Sequence, residues 1–188
     1  MRIVAGSLKG RKFKFAVPNG VRPTQDSVRE TIFNILDNHF DFQNSIVADI
    51  CAGTGAFGFE ALSRGAEKVY FIEKNRNAVS FIRNTTLDFH LSEDVFKLIN
   101  HDALKILKRM NDFEPGIKFD LAFIDPPYEL KLGNSIVNLL LSENLISDDG
   151  IIIVESDSFD TIFLPESCNL LTERSFGETK VSFLQKKI

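Results

Sequence analysis

A regular alternation of short apolar runs and amphipathic segments is the feature that most restricts the folds open to this chain. It starts at residue 46 and continues to residue 155. The pattern predicts strands over 46–50, 69–73, 95–99, 119–125 and 151–155, and helices over 57–63, 78–87, 103–110 and 132–141. Such alternation is typical of crossover units in a mostly parallel sheet that helices cover on both faces.

The end of the chain adds an antiparallel element to this pattern. Segments 169–176 and 181–185 are separated by Gly177-Glu178-Thr179, which predicts a hairpin at one edge of the sheet. The sequence therefore predicts an α/β fold with a mostly parallel seven-stranded sheet and an antiparallel C-terminal hairpin.

The start of the chain predicts a small appendage. Segments 2–5 and 12–15 resemble two short strands, and 188 residues with 44% apolar content are enough for one substantial core. We therefore divide the chain into an N-terminal basic β-hairpin extension, residues 1–20, and a main domain, residues 21–188. Because the predicted core begins at residue 46, we expect the extension to be peripheral.

Charge is distributed unevenly along the chain. The net charge is −4, yet the first 30 residues carry +5 and the remainder −9. The basic residues of this stretch are Arg2, Lys9, Arg11, Lys12, Lys14, Arg22 and Arg29. A cationic appendage on an acidic body favours contact with nucleic-acid phosphates, and we predict these residues to bind RNA. The alternative is a solvated hairpin whose lysines protect an exposed strand edge.

Composition argues against several other classes of protein. No apolar run approaches the length of a membrane span, and the first residues are basic rather than typical of a signal peptide, so we expect a cytoplasmic protein. Cys51 and Cys168 are the two cysteines, and neither lies in a Cys-x-x-Cys motif. We expect both to be structural, with no metal site.

A glycine-rich loop follows the first predicted strand. Gly53, Gly55 and Gly58 form a GxGxxG pattern, in which the backbone can approach a ligand and direct helix N–H groups at it. Glu73 ends the second strand 20 residues after Gly53, where a carboxylate can hold both ribose hydroxyls of an adenosine. Taken alone, the glycines also fit a dinucleotide dehydrogenase or a structural turn.

Acidic residues end four successive predicted strands, at the edge where open α/β sheets bind ligands. Asp49 precedes the glycine loop and can bond to the loop and to the polar end of a ligand. Asp102 can accept from an adenine amine, with the Ala103 N–H as donor, and can also cap a helix. Asp125 ends the fourth strand. A methionine carboxylate, rather than a pyrophosphate, would then lie at the helix N-terminus.

The residues Asp125-Pro126-Pro127-Tyr128 suggest the reaction. Two prolines directly after a strand fix the backbone and leave a carbonyl unpaired. That carbonyl and the Asp125 carboxylate can hold the hydrogens of an exocyclic base amine while the Tyr128 ring stacks on the base. The chemistry suggested is N-methylation of a nucleobase. The alternative is a proline turn in which Asp125 caps and Tyr128 packs.

Taken together, these motifs resemble the RsmD-like family, S-adenosylmethionine-dependent methyltransferases that act on a guanine N2 of small-subunit (16S) ribosomal RNA. The resemblance covers nearly the whole chain. It includes the opening Arg2-Ile3-Val4-Ala5-Gly6, Arg22-Pro23-Thr24, the glycine loop and the tetrapeptide 125–128. Many relatives carry Phe at the position of Tyr128, and either ring can stack.

The resemblance implies a class I methyltransferase fold, with S-adenosylmethionine as cofactor and ribosomal RNA as partner. Glu73 would bind the ribose, Asp102 the adenine, and the glycine loop the methionyl part. Asp125 and Pro126 would hold the guanine N2 amine, with Tyr128 stacked on the base. The RNA could be naked or part of a protein-loaded 30S particle.

Three other functions are compatible with part of this pattern. A DNA adenine-N6 or cytosine-N4 methyltransferase needs the same amine-binding residues, but 188 residues leave little room for a target-recognition region. A catalytically inert RNA-binding assembly factor would have no need of the intact Glu73, Asp102 and Asp125. A dehydrogenase leaves the double proline and the basic segment unexplained.

Overall fold

A computed structural model describes residues 1–16 and 26–187, with only the backbone of Asp26. The described chain divides into two compact units, Met1–Asn100 and His101–Ile188. Residues 1–16 belong to the first unit. The predicted boundary at residue 20 lies outside the described residues, as do Arg22 and Thr24, so the division at that point stays a prediction.

In its described residues, the first unit contains three parallel strands, three α-helices and one 3-10 turn (Glu93–Val95). Its elements are α1 (Asp26–Leu36), β1 (Ile46–Ile50), α2 (Ala56–Arg64), β2 (Lys68–Glu73), α3 (Arg76–Asp88) and β3 (Phe96–Asn100). Strand β2 pairs in parallel with both β1 and β3. Apart from the half-buried Ile46, the apolar side chains of β1 and β2 are buried, which is the environment that their β-branched and aromatic residues favour.

The described part of the second unit contains four strands, three α-helices and one 3-10 turn (Tyr128–Leu130). Its elements are α4 (Ala103–Leu107), α5 (Met110–Phe113), β4 (Phe119–Ile124), α6 (Gly133–Ser142), β5 (Ile146–Asp157), β6 (Cys168–Phe176) and β7 (Thr179–Lys186). Strand β4 pairs in parallel with β5, whereas β7 is antiparallel to both β5 and β6. The strand order is β3-β2-β1-β4-β5-β7-β6. The predicted fold class is confirmed.

Two elements of the α/β pattern differ from their predicted extents by more than two residues at one end. The single helix predicted over 103–110 is divided into α4 and α5, because Arg109 leaves helical geometry with φ −121° and ψ 11° and the chain turns to bury Met110. Strand β5 starts at Ile146 rather than residue 151. Phe119 pairs with Ile146, and a register shift follows between Phe119 and Leu121, so the additional residues are absorbed as an irregularity of the ladder.

The predicted N-terminal hairpin forms only in part. In the described residues Arg2 and Lys12 form an antiparallel bridge and the Ile3 N–H donates to the Arg11 carbonyl at 2.9 Å, but there is no regular strand. Beyond this pairing the segment bonds to helix α2: Val4 and Ala5 donate to the Glu60 carboxylate, and Ser7 donates to the Ser63 carbonyl. Tertiary contacts therefore supplement the pairing that local alternation predicts.

Candidate active site

The loop after β1 is shaped by residues in the left-handed region. Cys51, Gly53 and Gly55 have φ of 61°, 53° and 70°. Gly55 is the residue before α2, and the helix has no side-chain cap there. This geometry leads the loop directly into the N-terminus of α2, the arrangement of a loop that binds an anionic group.

Gly58 has a packing role as well. A Cβ atom at this position would lie 2.3 Å from the Phe71 ring of β2. Any larger residue would therefore push α2 away from the strand. The third glycine of the motif fixes how closely the helix approaches the sheet, while the first two determine the path of the loop.

Asp49 is buried beneath this loop. Its Oδ2 accepts a hydrogen bond of 2.9 Å from the Gly58 N–H, across the first turn of α2. Burial raises the pKa of the Asp49 carboxyl from 3.8 to about 8, with the Gly58 bond lowering it and the Glu73 charge raising it further. A group that changes protonation near neutral pH therefore lies directly under the predicted ligand loop.

Glu73 connects the end of β2 to the same loop. Its Oε2 accepts from the Gly53 N–H at 2.8 Å, and its Oε1 accepts from the Asn75 N–H at 2.7 Å. Each carboxylate oxygen has a second lone pair, so both can also accept from a hydroxyl. The two oxygens are thus oriented by the backbone and suit a pair of neighbouring hydroxyls such as those of a ribose.

Asn100 was not identified from the sequence, although it ends β3. Its Nδ2 donates to the Glu73 carbonyl at 2.9 Å and to the Lys74 carbonyl at 3.1 Å. These bonds fix the chain where it leaves β2. The rule that polar residues at strand ends belong to the site would have selected Asn100 together with the four acidic residues.

Asp102 and Ala103 lie at the start of the second unit. The Asp102 Oδ1 accepts from the Lys105 N–H at 3.2 Å, so this residue caps α4, as predicted. Ala103 is the first residue of that helix and is buried. Capping uses one lone pair of the Asp102 carboxylate. A contact to an adenine amine stays a prediction.

The tetrapeptide 125–128 follows β4. Asp125 is half-buried, Pro126 is buried and Pro127 is exposed. Tyr128 begins a single 3-10 turn that ends at Lys131, where φ is 47°. Strands β4 and β5 pair with Ile124 opposite Val154, so Asp125 and Glu155 follow at the same level of two neighbouring strands.

A pocket of about 250 Å³ adjoins the tetrapeptide. Pro126, Pro127 and Tyr128 contribute to its wall, with Gly133 at the start of α6 and Glu155 and Ser156 at the end of β5. Its lining combines prolines and an aromatic ring with several polar and charged side chains, so it offers both a stacking surface and hydrogen-bonding groups to a ligand.

The Tyr128 hydroxyl is held by two residues of the sheet. It lies 3.1 Å from the Glu155 Oε1 and 2.8 Å from the Thr179 Oγ1. Burial raises the pKa of Tyr128, and the nearby carboxylates of Glu155 and Asp125 add to that effect. Glu155 was missed in the sequence analysis, although it also ends a predicted strand; Thr179 carried no signal.

The predicted RNA-binding residues fall into three groups. Arg2, Lys9, Arg11, Lys12 and Lys14 are exposed on the N-terminal segment. Arg29 is 1% exposed and donates to the Arg2 carbonyl at 2.7 Å, so its assignment to RNA binding is corrected: it is buried in the structure and supports the segment. Arg22 lies outside the described residues.

The N-terminal segment packs on α2 and is not peripheral. Glu60 is 0% exposed, and its two carboxylate oxygens accept from the Val4 and Ala5 N–H groups at 2.8 and 2.9 Å. Phe13 packs against Phe59, Phe81 and Phe89, with ring centroids 5.6 to 6.2 Å apart. The segment therefore closes one part of the core of the first unit.

Searches for metal-binding groups and membrane spans gave no candidates in the part of the chain that is described. No group of three or more His, Cys, Asp and Glu side chains there could hold a metal ion. None of the described helices is long and apolar enough to cross a membrane.

Comparison with known proteins gives consistent matches over the full length. The model of the family described as conserved hypothetical protein 95 matches residues 1–185. "Ribosomal RNA small subunit methyltransferase D" of Haemophilus influenzae is 34% identical over 94% of this chain and 89% of that protein. The protein of the same name from Escherichia coli is 32% identical over 100% and 90%. The solved structure of Escherichia coli yhhF superposes with a TM-score of 0.85 at 31% identity, covering 100% of this chain and 98% of that chain.

Proposed function

The chain belongs to the family described as conserved hypothetical protein 95, and we propose that it transfers a methyl group from S-adenosylmethionine to the exocyclic N2 of a guanine in small-subunit ribosomal RNA. The main support for this reaction is the tetrapeptide 125–128, which follows β4 and lies next to a pocket. The two curated relatives, similar over nearly their whole length, carry the substrate class.

The residues of the first unit fit this cofactor. Glu73 presents two oxygens that the Gly53 and Asn75 N–H groups orient, as the two hydroxyls of a ribose require. The N-terminus of α2 suits the methionyl carboxylate, and the buried Asp49 below it holds the Gly58 N–H and so fixes the first turn of that helix. We assign the adenine to Asp102 and the Ala103 N–H. S-adenosylmethionine supplies an electrophilic methyl group on a sulfonium.

The residues of the tetrapeptide act on the base. The Asp125 carboxylate and the Pro126 carbonyl each accept a hydrogen bond from one N–H of the guanine N2 amine. These two bonds turn the nitrogen lone pair toward the incoming methyl group. Positive charge develops on this nitrogen, and both acceptors stabilise it without moving. The methylated amine is strongly acidic, so its proton passes to Asp125 or to water. Catalysis comes from positioning and electrostatics rather than from a strong base.

The RNA is bound by a surface separate from the chemistry. We assign docking to the exposed Arg2, Lys9, Arg11, Lys12 and Lys14 of the N-terminal segment. The acidic remainder of the chain disfavours bare RNA, which supports a protein-loaded 30S particle as the substrate. With ribosomal RNA as substrate, we place the protein in the cytoplasm.

Methylation by the purified chain tests this function. The chain, methyl-labelled S-adenosylmethionine and small-subunit particles from cells lacking the protein should yield N2-methylguanosine in the digested RNA, and Asp125→Ala should yield none. Protein-free RNA and DNA are parallel substrates. Label on adenine or cytosine of DNA would favour the DNA methyltransferase. RNA binding without any label would favour an inert assembly factor.

A further inference from the structure

The Tyr128 hydroxyl lies in a hydrogen-bond chain whose direction the chemistry fixes. A phenol has one hydrogen to donate, and an ionised carboxylate can only accept. Tyr128 therefore donates to the Glu155 Oε1 at 3.1 Å, and Thr179 donates to the Tyr128 oxygen at 2.8 Å. The chain runs from Thr179 through Tyr128 to Glu155, and every group has one defined role.

The two partners of Tyr128 are fixed far more firmly than Tyr128 itself. Glu155 is 6% exposed and lies in β5, where it pairs with Val181 of β7. Thr179 is 9% exposed and begins β7. Tyr128 is half-buried and belongs to one short turn after Pro127. The two hydrogen bonds therefore hold the Tyr128 ring to the sheet through its hydroxyl, while the short turn at its backbone restrains the ring less.

The orientation of this ring matters if it is the face on which the target base stacks. The base plane follows the ring plane, and the N2 amine must reach Asp125 with its lone pair directed at the methyl group. If the ring tilts, the stacked base tilts with it, and its amine is displaced from the position in which the methyl group can be transferred.

We propose that Glu155 and Thr179 are positioning residues for methyl transfer, which hold the Tyr128 ring through its hydroxyl in the orientation that the target guanine requires. The proposal rests on the proposed function. It also sets this chain apart from a protein with Phe at position 128, because the hydroxyl here is part of the support of the ring. Stacking area alone then does not determine activity.

Conservative and disruptive substitutions separate this role from general stability. Three substitutions each remove at least one hydrogen bond of this series: Tyr128→Phe, Thr179→Val and Glu155→Leu. Each should lower kcat about tenfold, the scale of one hydrogen bond to a charged group, and should leave the affinity for S-adenosylhomocysteine unchanged. Thr179→Ser and Glu155→Gln keep a donor and an acceptor and should retain most of kcat. Ser182→Ala is the matched control, because Ser182 is a buried hydroxyl of the same strand β7 and donates to the Glu173 carboxylate rather than to Tyr128.

A spectroscopic measurement without substrate provides an independent readout. The chain has no Trp and two Tyr residues, so ultraviolet titration in a Tyr70→Phe background reports Tyr128. Since the Glu155 carboxylate contributes to the raised pKa of Tyr128, Glu155→Gln should lower the pH at which the tyrosinate band rises, and Ser182→Ala should not.

Two results would overturn the proposal. One is an unchanged tyrosinate titration in Glu155→Gln. The other is a kcat in Tyr128→Phe and Thr179→Val that matches the kcat of Ser182→Ala. A wild-type chain that methylates no RNA would instead contradict the proposed function, while the titration would still decide whether the hydroxyl chain exists.

Discussion

Asp49 is the site residue whose properties in the fold are furthest from what its place in the sequence suggests. In the sequence it is one acidic residue before a glycine loop, whereas in the fold it is buried, accepts from the Gly58 N–H and has a pKa raised to about 8. The folded state keeps a proton that the unfolded state loses above pH 3.8. The unfolded chain therefore binds fewer protons between these values, and stability falls as pH rises through this window.

Asp49→Asn should remove this pH dependence. The amide keeps an acceptor for the Gly58 N–H but cannot ionise, so the variant should gain stability over the wild type as pH increases from about 4 to 8. Urea unfolding of both proteins at pH 5 and pH 7.5 measures the difference, since all other titrating groups are shared. A constant difference between the two proteins would show that Asp49 is already ionised in the fold.

Asp125→Ala should separate chemistry from cofactor binding. This carboxylate is assigned to the target amine, so its loss should reduce kcat by a hundredfold or more, about 3 kcal/mol by the scale of one lost electrostatic contact. S-adenosylhomocysteine affinity, measured by calorimetry, should change little. An equal loss of affinity and turnover would place Asp125 in the cofactor site instead.

The N-terminal segment has long-range contacts that the local sequence pattern does not reveal. Strand–helix alternation predicts the main elements because each strand and helix buries one continuous face. The segment 1–16 forms its predicted pairing only in part, and its Val4 and Ala5 N–H groups bond instead to Glu60, some 55 residues away. Glu60 itself resembles a surface charge in the sequence. The acidic residues at the strand ends and the glycine loop were predictable from their positions in the sequence. The contact between Thr179 and Tyr128 was not, because it joins residues 51 positions apart that only the folded sheet brings together.

The packing of this segment changes the test of RNA docking. Deleting residues 1–15 would leave the Glu60 carboxylate buried without the Val4 and Ala5 donors and would expose the ring cluster around Phe13. Truncation should therefore lower the stability of the first unit by several kcal/mol. Thermal unfolding of the truncated chain should show a clear fall in Tm. An unchanged Tm would restore the peripheral interpretation.

Neutralising exposed charges keeps the fold and isolates docking. Lys9→Gln with Lys12→Gln should raise KM for the ribosomal particle and make activity less dependent on salt, because fewer counterions are released on binding. The control pair is Lys108→Gln with Lys187→Gln, which changes two exposed lysines of the second unit. Equal effects of both pairs would mean that net charge, rather than the N-terminal segment, governs RNA binding.

At the scale of the whole molecule, the central claim is that this chain adds one methyl group to one guanine of small-subunit RNA. Mass mapping of that RNA, from cells with the protein, without it and with its Asp125→Ala variant, tests the claim most directly. We expect a single N2-methylguanosine in the first case and an unmodified guanine at the same position in the other two. Identical RNA in all three, or a missing methyl on a different base, would contradict the account.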